Sequence, residues 1–371
     1  EALRSLQLSR GESHTIEAWD WRWYAEKVRA LRYELDEAEI KPYFPLERMV
    51  DAVFDCARQL FGLEFLLRPE LRAYHPDVKV YEVRGRDGAH VGIFLHDNFA
   101  RPNKRSGAWM SNYRQQSRNV AGGGAISPIV VNNNNFAKGA AGAPTLLSFD
   151  DARTLFHEFG HGLHGLLSSV TYERLSGTNV LRDFVELPSQ LFEHWLTEPA
   201  VLKKHARHVA TGEPIPDALV ARLHAARKFN QGYETGRYTA SALVDMAVHS
   251  MESAEGPDIV AAERAVLERI ALPPGVGMNH RLPHFQHLFS GSSYAAGYYV
   301  YLWAEVLDAD GFDAFAEAGD PFDPAVAQRL QQFIYSAGDS LEPRSAYRAF
   351  RGREATVDPM LRKKGLVGEE A

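Results

Sequence analysis

Residues 157–161 read His157-Glu158-Phe159-Gly160-His161, and this pentapeptide constrains the chain more than any other feature. On an α-helix, side chains four apart lie one above the other. His157 and His161 can therefore place two imidazole nitrogens on one Zn²⁺, with Glu158 one residue round and in reach of a water on that ion. With 15 histidines in 371 residues, chance would produce the pattern on the order of 0.05 times in such a chain. Gly160, Gly162 and Gly165 lie in the same stretch, and each costs a helix roughly 1 kcal/mol against Ala. Such glycines make sense where another backbone passes close by.

Zinc needs a third protein ligand. The metzincin pattern would place a histidine ten residues after His157, but Leu167 stands there, which excludes that class. His164 shares the helix face but points one turn further along, and reads as a packing residue or a support to the ligands. Glu173 falls in a stretch read as a loop, 171–178. Glu186, in RDFVELPSQ, falls on a helix that continues through Phe192 and Trp195. A rigid helix holds a ligand better than a loop, so Glu186 is the expected third ligand. The competing reading is a carboxylate that interacts with the helix dipole in the first turn. Seven residues on, Glu193 returns to the same face and can accept the second ring N–H of a ligand histidine.

Around this segment the chain reads as α+β and mostly helical, with a small sheet among many helices. Trp19, Trp23, Tyr24, Val28, Leu31 and Leu35 suggest one helical stripe. Residues 46–61 suggest a second helix with Val50, Val53, Phe54 and Leu60 as its apolar face, stopped by Gly62. Residues 78–83 and 91–95 read as a hairpin about Asp87-Gly88. Residues 126–133 read as a further strand, ended by the run Asn132 to Asn135. From Asp150 onward the pattern is helical almost throughout. With no internal repeat and no long linker, the chain is expected to form one catalytic-type domain over 1–371. Its parts would be a helical lead-in (1–75), the small sheet (76–135), metal-binding helices (146–200) and a second helical part (201–371).

Lys plus Arg is 41 against 48 Asp plus Glu, a formal charge of -7, which gives no electrostatic reason to expect nucleic acid or an anionic membrane as partner. No apolar run reaches the 18 or more residues of a membrane span. The lone cysteine, Cys56, excludes an intrachain disulfide and reads as a buried thiol. That suits a reducing compartment, so a cytoplasmic location is expected, with the periplasm as the alternative.

A second chemical stretch lies at 284–303, HFQHLFSGSSYAAGYYVYLW. Its phenols and imidazole can donate hydrogen bonds to a developing oxyanion. Tyr294, Tyr298 and Tyr301 follow 4,3 spacing and would share a helix face if the helix starts early. Core packing with hydroxyls at the rim is the competing reading.

These segments resemble the thimet oligopeptidase, neurolysin and oligopeptidase A family of zinc peptidases, most closely its bacterial peptidyl-dipeptidase branch. The resemblance rests on KPYFPLERM (41–49), PIVVNNNNF (128–136), LLSFDDARTLFHEFGHGLHGLLS (146–168), LSGTNVLRDFVELPSQLFEHW (175–195), HLFSGSSYAAGYYVYLWAEVLDAD (287–310) and AYRAFRGREATVDPMLRKKGL (346–366). It implies a zincin-like catalytic domain with one Zn²⁺ per chain on His157, His161 and Glu186, and Glu158 as general base. It casts His287, Tyr298 and Tyr301 as transition-state stabilisers and Tyr294 as a substrate contact. It also makes the strand around Ile129, Val130 and Asn132 an active-site edge strand on which an extended peptide adds. The implied activity is hydrolysis of short peptides with release of C-terminal dipeptides; an endo-oligopeptidase and a non-catalytic peptide-binding module are the rival readings. Family members are much longer, and the match is to their C-terminal half. The chain is thus expected to be a fragment or a natural half-protein, with the helical N-terminal half as a possible partner.

Overall fold

The structure is a computed structural model that describes residues 1–252, 258–273, 275–292 and 294–367. The chain falls into two compact units, each built from separate stretches: Glu1–Asp36, Ala218–Trp303 and Met360–Ala371 form one, Glu37–Asp217 and Ala304–Pro359 the other.

The first unit opens with helices α1 (Ala2–Ser9) and α2 (Trp21–Tyr33). The expected stripe on α2 is corrected. Tyr24, Val28 and Leu35 are buried, but Trp19 is 79% and Leu31 69% exposed. The helix starts only at Trp21, and its inward face is Trp21, Tyr24, Ala25 and Val28, packed with Leu3 of α1. That set has the i, i+3, i+4, i+7 spacing of an amphipathic helix.

In the second unit, α3 spans Leu46–Phe61, the bounds expected from its pattern. Val50, Val53, Ala57 and Leu60 are buried with Cys56. Gly62 ends the helix at φ +70° and donates its N–H to the Arg58 carbonyl, the left-handed cap that glycine adopts most cheaply. A mixed sheet follows: β1 (Glu64–Leu67), β2 (Lys79–Arg84), β3 (His90–Phe99), β4 (Trp109–Arg114) and β5 (Ile129–Phe136), in the order β1-β2-β3-β5-β4. The β2–β3 hairpin turns at Gly88, which takes φ +78°. Strand β5 runs parallel to β3 and antiparallel to β4.

Three strand expectations change here. β1 and β4 lie in stretches that carried no strand reading. The asparagine run does not end β5 but lies within it. Asn134 Nδ2 donates to Asn98 Oδ1 at 2.9 Å, and Asn135 Nδ2 to the Arg105 and Gly107 carbonyls at 2.7 and 2.6 Å. These bonds outweigh the low strand preference of asparagine. Most consequentially, β5 is interior, not an edge. Val130 pairs with Phe94 on one side and Asn112 on the other, and Asn132 pairs with His96 and Met110. With both neighbours in place, Ile129, Val130 and Asn132 leave no backbone row for an added peptide. The sheet's edges are β1 and β4.

Helix α4 (Phe149–Leu166) lies on this sheet and carries the His-Glu-x-x-His segment. Ser148 and Asp151 exchange side-chain and backbone bonds at its start, a capping box that fixes where the helix begins. Helix α5 (Arg182–Glu193) packs on α4. The glycines of α4 mark the close approaches. A Cβ at Gly162 would meet the Asn132 side chain at 3.1 Å, and one at Gly165 would meet Met110 at 2.6 Å. A Cβ at Gly160 would stand 2.7 Å from both Pro188 O and Ser189 Cα. Those last two are backbone atoms that cannot swing away. Gly160→Ala is therefore expected to cost about 1–3 kcal/mol, read as a lower urea midpoint with unchanged m-value.

The chain returns to the first unit at Ala218 and there forms α6 (Gln231–His249), against which the helix Ile259–Arg269 packs through Ala240, Val244 and Val266. Helix α7 (Val300–Ala318) follows, and the boundary between the units falls within it, after Trp303. Among the described residues, no helix is long and apolar enough to cross a membrane.

Candidate metal centre

Helix α4 projects His157 and His161 from consecutive turns, and α5 brings Glu186 against them. His161 Nε2 lies 3.1 Å from Glu186 Oε2, and His157 Nε2 lies 3.3 Å from the same oxygen. Zinc–ligand bonds of about 2.0–2.1 Å in a tetrahedron separate ligand atoms by about 3.3–3.4 Å. Both imidazoles thus stand near that spacing from the Glu186 oxygen, and the ligand atoms of all three side chains lie within 4.8 Å of one another. Among the described residues, no other group of three or more His, Cys, Asp and Glu side chains converges in this way.

The partners of these residues fix their orientation. His157 Nδ1 lies 2.7 Å from Glu193 Oε1, so the ring donates there and turns its Nε2 lone pair to the convergence point. Ser189 Oγ donates to Glu186 Oε2 at 3.1 Å, which steadies the carboxylate. Sequence reading missed Ser189; its place three residues after Glu186 on one helix was the available signal. Glu193→Ala is expected to weaken zinc binding about 10- to 100-fold, measured by competition with a chromogenic chelator. Glu193→Gln should lose less, because its amide oxygen still accepts the imidazole N–H.

The electrostatics favour a cation. Burial alone would lower the His157 pKa, but hydrogen bonds to Glu186 and Glu193 hold it well above the usual value. Burial opposes ionisation of Glu186, yet His161 and His157 beside it hold its carboxyl well below the usual range. A buried carboxylate against two inward-facing imidazoles, with a second carboxylate behind one of them, fits a divalent ion with nitrogen and oxygen ligands. Glu158 is 5% exposed, and among the described residues its buried Oε2 has no hydrogen-bond partner. Burial pushes its carboxyl up, and the neighbouring histidines only partly offset this. A raised carboxyl is the better proton acceptor. His164 stays outside the group: it is fully buried, and burial lowers its pKa to about 3. Glu173 lies exposed in the short turn Glu173–Leu175.

The histidine–tyrosine stretch belongs to the other unit. The expected shared helix face is corrected, because α7 starts only at Val300, after Tyr294 and Tyr298. Ala296 takes φ +54°, a left-handed conformation that stops a helix. The turn itself gathers the side chains. The His287 ring centroid lies 4.4 Å from Tyr294, 5.6 Å from Tyr298 and 5.7 Å from Tyr301. Tyr301 Oη lies 3.1 Å from His287 Nε2. Burial raises the Tyr298 phenol.

Residues 1–366 match peptidase family M3. The chain is 43% identical over 357 residues to the dipeptidyl carboxypeptidase of Salmonella typhimurium, covering 95% of this chain and 52% of that protein. It is 42% identical to the dipeptidyl carboxypeptidase of Escherichia coli over 95% of this chain and 51% of that one. It is 36% identical to Escherichia coli oligopeptidase A over 99% of this chain and 54% of that one. The chain thus spans about half the length of the curated relatives it matches. The solved structure named "BsuCP Crystal Structure" shares the fold, with a TM-score of 0.50 at 14% identity over 90% of this chain and 61% of that one.

Proposed function

The chain belongs to peptidase family M3, and from that membership we propose that it is a zinc-dependent metallopeptidase that cleaves short peptides and releases C-terminal dipeptides. The observation that carries this is the convergence of His157, His161 and Glu186 beside Glu158, with Glu193 behind His157. The family is zinc-dependent in general, and the donor set suits one Zn²⁺ per chain. The preference for dipeptide release follows the relatives of that name, at 43% and 42% identity. The oligopeptidase A reading keeps its place on 36% identity. In this proposal the fold is zincin-like and both units serve one catalytic domain. Short peptides are its partners, and the location is cytoplasmic, in keeping with one buried thiol.

Bound at this site, zinc supplies Lewis acidity that polarises the scissile carbonyl and acidifies a water. His157, His161 and Glu186 would hold it, and Glu193 would keep the His157 tautomer. Glu158 takes the proton of the attacking water and passes it to the leaving amine. His287, Tyr298 and Tyr301 donate to the oxygen on which negative charge develops, and Tyr294 contacts the substrate. An extended peptide pairs along β4, the edge strand beside β5. Tyr298→Phe and Tyr301→Phe remove a hydroxyl and little volume. Each is expected to lower kcat about 10²-fold with KM little changed, read by steady-state kinetics.

One assay tests the activity. Zinc-loaded protein is incubated with N-blocked and C-amidated forms of one short peptide, and products are identified by mass spectrometry. Dipeptides released only from a free C-terminus support the proposal. Internal cuts in both forms favour the oligopeptidase A mode. No cleavage of either form by zinc-loaded protein contradicts a peptidase.

A further inference from the structure

Helix α6 presents Arg237, Ser241 and Asp245 at intervals of four, along one face. Arg237 donates to the carbonyls of Gly277 and Met278 at 3.3 and 2.9 Å. Ser241 Oγ accepts the backbone N–H of Asn279 at 2.9 Å. Asp245 is fully buried and accepts the backbone N–H groups of Ala296 at 3.0 Å and Tyr298 at 2.8 Å, and its Oδ1 also lies 2.7 Å from Nδ1 of His249, one turn on along the same helix. One helix face thus pins two loops distant in sequence, 277–279 and 296–298.

The loops meet at Tyr298. Asn279 Nδ2 donates to its phenol oxygen at 3.2 Å, and the Tyr238 hydroxyl donates to its carbonyl. Its amide nitrogen, carbonyl and phenol are all held. Ala296, at φ +54°, is a non-glycine residue in a conformation such residues seldom adopt, and the Asp245 carboxylate holds its N–H there.

We propose that Asp245 is a positioning residue for the reaction: its carboxylate, through the N–H groups of Ala296 and Tyr298, fixes the Tyr298 phenol, and Asn279 sets the direction of its O–H. Asn279 occupies the phenol oxygen as donor, and a phenol that accepts one hydrogen bond becomes a stronger donor of the next. This rests on the reading of Tyr298 as an oxyanion donor. A carboxylate has two oxygens for two N–H groups, whereas an asparagine amide turns its NH₂ against one of them. Asp245→Asn therefore removes one of these N–H holds at nearly constant shape; it also alters the contact with His249, so amide exchange in 294–300 is the readout that ties its effect to the loop.

The experiment uses the zinc-loaded chain and two readouts. Asp245→Asn is expected to speed amide exchange in 294–300 and to lower kcat, each about tenfold, with KM little changed. In the Tyr298→Phe background the same substitution should change kcat less than about twofold, since coupled residues are not additive. Unchanged exchange overturns the positioning role, and so does a tenfold loss of kcat that persists in the Tyr298→Phe background. Should Asp245→Asn fail to fold, Asn279→Ala takes its place: a kcat loss confined to the Tyr298 background supports the proposal, and wild-type kcat overturns it. If Tyr298→Phe alone keeps wild-type kcat, the reading of Tyr298 as oxyanion donor fails, while amide exchange still decides whether Asp245 holds the loop.

Discussion

Glu158→Gln is expected to keep one zinc per chain and to lose about 10³-fold in kcat, within the range of general-base removal. Glu158 lies on α4 between the two histidines but is not among the three converging ligand groups. Its replacement by an isosteric amide leaves His157, His161 and Glu186 in place. What disappears is the only role proposed for it, because an amide takes no proton from water at neutral pH. Burial raises the Glu158 carboxyl, so the wild-type group is poised nearer neutrality than a surface glutamate. Metal analysis and single-turnover hydrolysis of a quenched peptide check both halves. Substantial turnover by the zinc-loaded variant would remove Glu158 from the mechanism.

Glu186→Gln makes the same chemical change at a ligand position, with the opposite signature. It is expected to weaken zinc binding by more than about 100-fold, beyond what loss of a supporting partner costs. Turnover then falls because the metal is gone. The neutral amide leaves His157 and His161 facing each other with no carboxylate between them, where both now lie within 3.3 Å of Glu186 Oε2. Calorimetry reads this without an activity assay. Zinc at 100 times its dissociation constant stabilises wild type by about 2.7 kcal/mol, and Glu186→Gln should show almost none of that shift. His157→Ala should behave likewise. A wild-type zinc shift in both variants would place the metal elsewhere.

The convergence of the candidate ligands was more legible in the sequence than the sheet was. His157, His161 and Glu193 could be read because helix periodicity converts spacing into geometry. Glu186 needed only the further step of preferring a helix to a loop. The helix Leu46–Phe61 matched to the residue because an amphipathic stripe and a terminal glycine agree. The sheet failed where local signals are weak. β1 is four residues long, β4 reads WMSNYR amid polar residues, and the asparagines of β5 find partners only once the neighbouring chain is in place. The reading of β5 as an edge came from the resemblance, and β4 on its outer side corrects it. The tyrosine turn failed for another reason: Ala296 in a left-handed conformation delays α7, and no residue type signals that. Asp245 and Asn279 carried no motif, because their bonds to Ala296 and Tyr298 span 51 and 19 residues.

The most direct test of the metal centre is anomalous diffraction at the zinc edge, from crystals of chain loaded with one equivalent of zinc. The account predicts one peak per chain, about 2.0–2.2 Å from His157 Nε2, His161 Nε2 and a Glu186 carboxylate oxygen. A principal peak bound by His164 or Glu173, or one with Glu186 outside bonding distance, would contradict it.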